Sequence, residues 1–501
     1  MLPFYQHIPF FSIVALMVTG IITSIIHSGR KALAVHLGVV SAVLAANVLL
    51  WLNIVPTGER FLYQLGIVAH PYGNELVCGP LEVTMAVVFL IVMLCCVAGG
   101  ARELREDIND DKQNLYFVMC NLIMASLLAM IYTNDAFTAY VFIEINTISA
   151  CALVMAKDTG PTLVATIRYL IMSLLGSGLF LMGLTFLYQM TGHLLMIDIH
   201  EQILVLMETG AYQLPLLVTA GMLTLGLSLK SALFPFHSWL PDAHGSATTS
   251  SSAILSGLVL KGYIMLLVKL MFSVFGLENF NALHITDVML MLGALAMLAG
   301  SIKAIRETHI KRMIAYSSVA QIGYIYLGFG LGSVASAAAA IYQIMVHACT
   351  KPLLFLTAGQ LAENSNHRKQ MYYLRGAGHR AKLAGVGFTL GGLSMIGLPL
   401  LGGFAVKFYL ADAALMGSWK LWVAIAALGI SSVLNALYYL PAIVQIWTPA
   451  GEEEETFRQM TKKHYHWGFV AAAVILMAGC VILGVCCSGV GELLLAGLNL
   501  M

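Results

Sequence analysis

The sequence reads as an all-α, polytopic membrane protein with about fourteen transmembrane helices. Three observations carry that reading. Hydrophobic residues make up 59% of the 501 positions and charged residues only 10%, with a mean hydropathy of +0.85. A soluble domain carries about 25% charged residues, so lipid must be the main solvent. Apolar runs long enough to cross a bilayer recur along the whole chain. Basic residues fall almost entirely in alternate connectors. The net charge of +1 and the lack of any long basic run exclude a nucleic-acid role.

A spanning helix needs about 20 apolar residues. That rule places spans at 9–27, 33–52, 79–99, 114–132, 135–156, 163–189, 212–234, 249–274, 285–302, 313–332, 334–359, 383–412, 419–447 and 467–488. The first run follows MLPFYQHIPF, which lacks a basic leader and a small-residue cleavage site, and is expected to stay as a span. The longest polar stretches, 100–113, 360–382 and 448–466, are too short for a soluble domain. The chain is therefore one integral membrane domain, 1–501.

Nineteen of the 26 Lys and Arg residues lie in, or at the helix ends beside, the connectors after odd-numbered spans. Only Arg60 and Lys420 lie in the others. The positive-inside rule puts the first set, including Arg458, Lys462 and Lys463, in the cytoplasm and both termini outside. Nine cysteines are present, none in a CxxC pair, and most are expected to act as small hydrophobes.

Five basic residues remain within spans: Lys230, Lys261, Lys269, Lys351 and Lys407. Lys269 lies near the outer end of its span, where its ammonium is expected to snorkel to the interface. The other four are harder to place, since an ionisable group at the bilayer centre costs at least about 2.5–3.5 kcal/mol. Glu144 is the one acid near a span middle, so pairing cannot neutralise them all. Such groups mark ion paths more often than packing. A lysine kept there without a counter-charge can take up and release a proton at working pH.

Lys230 opens KSALFPFHSWLPDAH, in which Pro235 and Pro241 are expected to interrupt the helix. Broken backbone survives in a membrane only inside protein or beside water. The segment is therefore expected to line a cavity, with His237, Asp242 and His244 as a polar entry from the cytoplasm. Lys261 stands near the middle of its span. His347 and Lys351, four residues apart, share a helix face, and Pro352 is expected to distort the helix locally. Lys407 follows GLPLLGGF, where Gly397, Pro399, Gly402 and Gly403 should break another helix. Ser317, Ser318 and Gln321 are candidates to hold water between the charged groups. The two broken helices point their lysines to opposite faces. This layout suggests two inverted five-helix units, 114–274 and 285–447, each with a discontinuous fourth helix.

The segments KSALFPFHSWLPDAH, KRMIAYSSVAQIGY and HACTKPLLFLTAG resemble signatures of the antiporter-like subunits of respiratory complex I, membrane-bound hydrogenases and Mrp-type sodium/proton antiporters. The resemblance runs from about the third to the thirteenth span. It implies a fourteen-helix fold with two inverted five-helix units and a relay of buried charges. By matching positions, Glu144 would be the fifth-helix glutamate, Lys230 its seventh-helix partner and Lys261 the central eighth-helix lysine. His347 and Lys351 would be the eleventh-helix linkers and Lys407 the twelfth-helix exit. Two departures stand out. GSATTSSSAILSG lacks the proline usual before the eighth helix, and no long lateral helix is expected after the fourteenth span.

No flavin, nicotinamide, iron–sulfur or nickel motif appears, so neither a cofactor nor a metal is expected in this chain. Redox chemistry would belong to partners. Those expected are other membrane subunits, among them further antiporter-like ones, and a redox or small antiporter module. The transported ion is the proton, with sodium left open. A structural scaffold is the reading of another class, and the full set of buried charges argues against it.

Overall fold

A computed structural model describes residues 3–65, 73–210, 212–415, 419–449 and 465–501. The connector residues Arg458, Lys462 and Lys463 lie outside these. Long apolar segments become helices because a helix satisfies its own backbone polar groups where lipid offers no partner. The chain begins with α1 (Ile8–Ile25) and α2 (Gly29–Ile54), a two-stranded antiparallel sheet of β1 (Phe61–Leu65) and β2 (Asn74–Cys78), then α3 (Pro80–Asp107). The strands pair from Phe61 with Cys78 to Leu65 with Asn74. Next come α4 (Gln113–Tyr132), α5 (Ala136–Met155), α6 (Gly160–Thr191), the short α7 (Met196–Glu208) and α8 (Gln213–Lys230).

After a break lie α9 (Trp239–Ser246), α10 (Thr249–Ile254) and α11 (Leu260–Lys269), the last two joined by a π turn over Leu255–Val259. A second π turn, Leu270–Val274, follows α11. Then come α12 (Leu277–Ala282), α13 (Ile285–Arg306), α14 (Ile310–Leu331), α15 (Val334–Glu363) and the short α16 (Ala377–Arg380). The described chain closes with α17 (Lys382–Ile396), α18 (Gly402–Leu415), α19 (Trp419–Trp447), α20 (Trp467–Val485) and α21 (Cys487–Asn499).

Twelve helical segments among the described residues are long and apolar enough to cross a membrane. The two other expected spans are helical too. One is α14, whose sequence carries more polar residues; the other is the interrupted pair α17 and α18, 15 and 14 residues long. Large apolar side chains such as Phe11, Ile171, Leu174, Trp422 and Val444 face outward, as a lipid-solvated surface requires. The segment Thr249–Val274 is buried along its whole apolar window and α15 along 94% of its own. These two central helices carry Lys261, His347 and Lys351.

Small residues let the helices approach closely. A Cβ on Gly293 of α13 would sit 2.5 Å from the Leu327 nitrogen of α14, and one on Gly323 would sit 2.6 Å from the Gly293 carbonyl. On α6, a Cβ on Gly176 would sit 2.8 Å from the Gly226 carbonyl of α8 and 3.1 Å from Lys230 Cγ, so the bare glycine leaves room for the stem of that lysine.

The prolines depart from expectation in two places. Pro235 lies in the break after α8, but Pro241 lies in the first turn of α9, where no intrahelical amide bond is lost. Pro352 leaves α15 continuous from Val334 to Glu363. The π turn after α10 packs against its ring, since a Cβ on Gly257 would sit 2.5 Å from Pro352 Cγ. The serine-rich run without a proline starts its helix through a cap. Thr248 Oγ1 accepts the Ser251 amide at 3.1 Å.

Candidate functional site

The first half of the site is built where α5, α8 and α11 meet. Lys230 is the last residue of α8 and fully buried. Its ammonium lies 3.8 Å from Glu144 Oε1 on α5 and donates to Thr147 Oγ1 at 2.7 Å. Glu144 and Thr147 share one helix face at a spacing of three. The Thr147 hydroxyl is 3.1 Å from the Tyr263 hydroxyl, which donates to Asn146 Oδ1 at 3.2 Å. Asn146 in turn donates to Ser126 of α4 at 2.9 Å. The ammonium also lies 5.4 Å from the Tyr263 ring centre. Thr147, Tyr263, Asn146 and Ser126 were not singled out from the sequence. Polar residues among apolar ones in EINTIS, and a tyrosine two positions after Lys261, were the available signals.

Lys261 is fully buried and donates to the Ser256 carbonyl, which the π turn after α10 leaves without its usual helical partner. π turns recur at functional sites. The Ser256 hydroxyl is 3.0 Å from that of Ser318 on α14. On α15, His347 is fully buried and neither ring nitrogen has a hydrogen-bond partner among the described residues. One turn on, the Lys351 ammonium donates to Ser317 Oγ at 2.8 Å, to the Ile314 carbonyl at 3.0 Å and to the Tyr439 hydroxyl at 3.4 Å. Ser317 and Ser318 thus contact the lysine network directly. Gln321 accepts instead from Gln343 at 2.7 Å, so its visible role is to tie α14 to α15.

Lys407 lies on α18, just past the break. Its ammonium folds back and donates to the Ile396 and Met395 carbonyls at the end of α17. It also lies 5.6 Å from the Tyr324 ring centre. The carbonyl end of a half-helix carries partial negative charge, so the break supplies this lysine with dipoles. Gly397 has φ +97°, and a Cβ there would lie 3.0 Å from Lys407 Nζ. Glycine is required on both counts. Behind Tyr324, Asn435 donates to the Tyr324 hydroxyl at 3.4 Å and accepts from Tyr438 at 2.7 Å.

The expected entry residues separate into three environments. Lys303 of α13 sits 2.9 Å from His237 Nε2. Asp242 is clamped by Arg168 at 2.5 Å and Arg312 at 2.7 Å. His244 is fully buried, stacked on the Phe355 ring at 4.7 Å, with both ring nitrogens unpartnered among the described residues. Lys311, Lys351 and Lys261 are the charges that bear on it. Asp242 therefore faces the connector side and His244 the central lysines. Lys269 corrects an expectation. It is 3% exposed and donates to the Thr133 carbonyl at 2.6 Å, so it does not snorkel. Its helix is enclosed by neighbouring helices along its whole apolar window.

Many crossing helices, two of them broken, around a row of buried ionisable groups define the class: a polytopic membrane protein of the ion-translocating kind. Residues 133–435 match the family described as NADH:quinone oxidoreductase/Mrp antiporter, TM. The chain belongs to that family. It is 33% identical to NADH-quinone oxidoreductase subunit N of Desulforudis audaxviator over 80% of this chain and 78% of that one. It is 26% identical to a Na(+)/H(+) antiporter subunit of Alkalihalophilus pseudofirmus over 85% and 83%. The fold matches a chain of the membrane-bound sulfane sulfur reductase, an archaeal respiratory membrane complex, with a TM-score of 0.85 at 22% identity. It matches a chain of the Mrp complex from Dietzia sp. with a TM-score of 0.85 at 21% identity. Both matches cover 99% of this chain and 97% of the other.

Proposed function

We propose that this chain is a proton-translocating, antiporter-like subunit of a multi-subunit, redox-driven complex in the cytoplasmic membrane. It crosses the bilayer fourteen times, with both termini on the outer face, and 114–274 and 285–447 form two units related by inversion. The observation that carries the reading is the buried row itself. Glu144 and Lys230 lie 3.8 Å apart, Lys261, His347 and Lys351 occupy the two central helices, and Lys407 sits at a second helix break. An inert scaffold gains nothing from so many costly groups.

A proton enters from the cytoplasm past Asp242, His237 and His244 and binds the Lys261 amine. His347 and Lys351 carry it across the central helices. A charged Lys351 repels the Lys407 ammonium, which releases its proton to the outer side. The Glu144–Lys230 pair gates uptake. While closed, the carboxylate holds the ammonium; when open, the free ammonium opposes charge on Lys261.

The likeness to a subunit of a Na(+)/H(+) antiporter supports a second reading, a subunit of an Mrp-type antiporter without a redox partner. Purification of the intact complex and identification of its subunits separates the two: redox subunits support the first, small antiporter subunits the second. In the intact complex reconstituted in vesicles, Glu144→Gln is expected to impair proton transport with assembly unchanged. Wild-type transport in that variant removes the pair from the mechanism.

A further inference from the structure

Lys407 shares its helix break with two residues that the transport route leaves unused, Asn435 and Ser394. Only 33% of the apolar window of α19 is buried, so most of this helix faces outward. Its buried face carries four polar residues, Ser431, Asn435, Tyr438 and Tyr439, at a spacing that puts them on one side. Asn435 is fully buried. Its amide nitrogen donates to the Met395 carbonyl at 3.2 Å and to the Tyr324 hydroxyl at 3.4 Å. Its amide oxygen accepts from Tyr438 at 2.7 Å and from Ser301 at 3.4 Å. A carbonyl can only accept, so the nitrogen must be the end that faces Met395.

The Met395 carbonyl is where two donors meet. α17 ends at Ile396, so its last carbonyls lack intrahelical donors. Lys407 donates to the carbonyls of Met395 and Ile396, and Asn435 reaches the first of them from α19. Inside a membrane each such oxygen needs a donor, and an amine that loses its charge is a weaker one. Asn435 therefore keeps the Met395 carbonyl satisfied whether or not Lys407 is charged. Ser394, next to Met395, is also fully buried, and its hydroxyl has no hydrogen-bond partner among the described residues. A Cβ on Gly403 would lie 3.5 Å from that hydroxyl, and Gly403 is one turn before Lys407 on α18. A buried hydroxyl of this kind is where water is held. The same face of α19 reaches the central pair. Tyr439 accepts from Lys351 at 3.4 Å and lies 2.9 Å from the Ser317 hydroxyl.

We propose that Asn435 and Ser394 form the release half of the Lys407 exchange site. One N–H bond of the Lys407 ammonium breaks, and the proton passes to a water held by the Ser394 hydroxyl. That water becomes a hydronium and leaves towards the outer side; the lysine remains as a neutral amine. No bond of Ser394 or Asn435 breaks. Asn435 is a positioning residue. It holds the Met395 carbonyl while the lysine loses its charge, so release leaves that oxygen with a donor. The inference rests on the proposed transport function and names the residues that complete its last step.

The test uses the intact complex in vesicles under an imposed membrane potential, with pH-sensitive dyes on both sides. Asn435→Asp keeps the shape of the side chain and an acceptor for Tyr438 and Ser301. It removes the donor and sets a carboxylate at the carbonyl that Lys407 holds. An opposite charge there favours the ammonium, so steady transport should fall at least about tenfold. A first proton should still be taken up on the cytoplasmic side, with none released on the other. Ser394→Ala removes a hydroxyl that bonds nothing among the described residues, so a purely structural role predicts no change. Release should slow several-fold in that variant, with thermal stability not lowered. Ser394→Ala serves alone if Asn435→Asp does not assemble. Wild-type release in either variant, or loss of uptake together with release in Asn435→Asp, overturns the proposal. Either result leaves the transport reading in place, because that reading is judged by proton flux in Glu144→Gln.

Discussion

The two broken helices solve the same problem with different materials. At the first break, Lys230 ends α8 and faces a carboxylate, a threonine hydroxyl and an aromatic ring. At the second, Lys407 follows the break and turns back onto the carbonyl end of α17, with a tyrosine ring beside it and, among the described residues, no carboxylate in an ion pair within 4 Å. A counter-charge on another helix can be drawn away by a small helix movement. Carbonyl dipoles one break away in sequence cannot. On the proposed function, the first lysine is switched by a moving partner and the second exchanges its proton in place.

Among changes at the two breaks, the largest effect is expected where exchange itself is blocked. Lys407→Arg keeps a charge and its hydrogen-bond donors but resists deprotonation, because arginine stays ionised above about pH 12. Proton pumping in vesicles holding the intact complex should fall at least about tenfold, or 1.4 kcal/mol of barrier. Normal pumping would show that Lys407 serves only the fold. A milder loss is expected for Glu144→Gln, because the lysine it controls remains. Smaller still is the effect of Tyr263→Phe, which cuts the link between Thr147 and Asn146. Interhelical hydrogen bonds of this kind contribute about 0.6 kcal/mol, so transport should drop a few-fold at most and thermal stability slightly. A loss as deep as that of Lys407→Arg would move Tyr263 into the path itself.

The smallest effect concerns the connector that leads into α14. Burial, with Lys369 and Lys311 nearby, holds His309 down at about 4 from its ordinary 6.5. A histidine kept neutral by the fold contributes stability that is present above 6.5 and lost as pH falls from 6.5 towards 4. His309→Asn keeps an acceptor for the Arg312 amide without titrating. Amide exchange across 307–312 should quicken on acidification in the wild type and not in the variant. Equal quickening in both would assign the sensitivity elsewhere.

Much of this architecture was legible because lipid makes the sequence literal. Apolar runs map onto helices almost residue by residue, and a lysine inside such a run announces itself. Three kinds of feature were not legible. Pro241 and Pro352 look alike in sequence, yet one starts a helix and the other is absorbed within one, and only the neighbouring backbone decides which. The two strands β1 and β2 lie in a connector, and β2 is buried at four of its five residues, so its sequence shows no two-residue alternation. Thr147, Asn146 and Ser126 are ordinary polar residues until the helices place their hydroxyls and amides in one line. Lys269 was misread because depth along a helix says nothing of what surrounds it sideways.

The central claim is that protons pass through the buried row, and Lys261 is its least replaceable member. Lys261→Met keeps a side chain of similar length in a fully buried position and removes the amine. Proton uptake should be measured in vesicles holding the intact complex, with assembly verified by subunit composition. The account predicts that uptake through this subunit is abolished while the complex stays assembled. Uptake at the wild-type rate in Lys261→Met would contradict it.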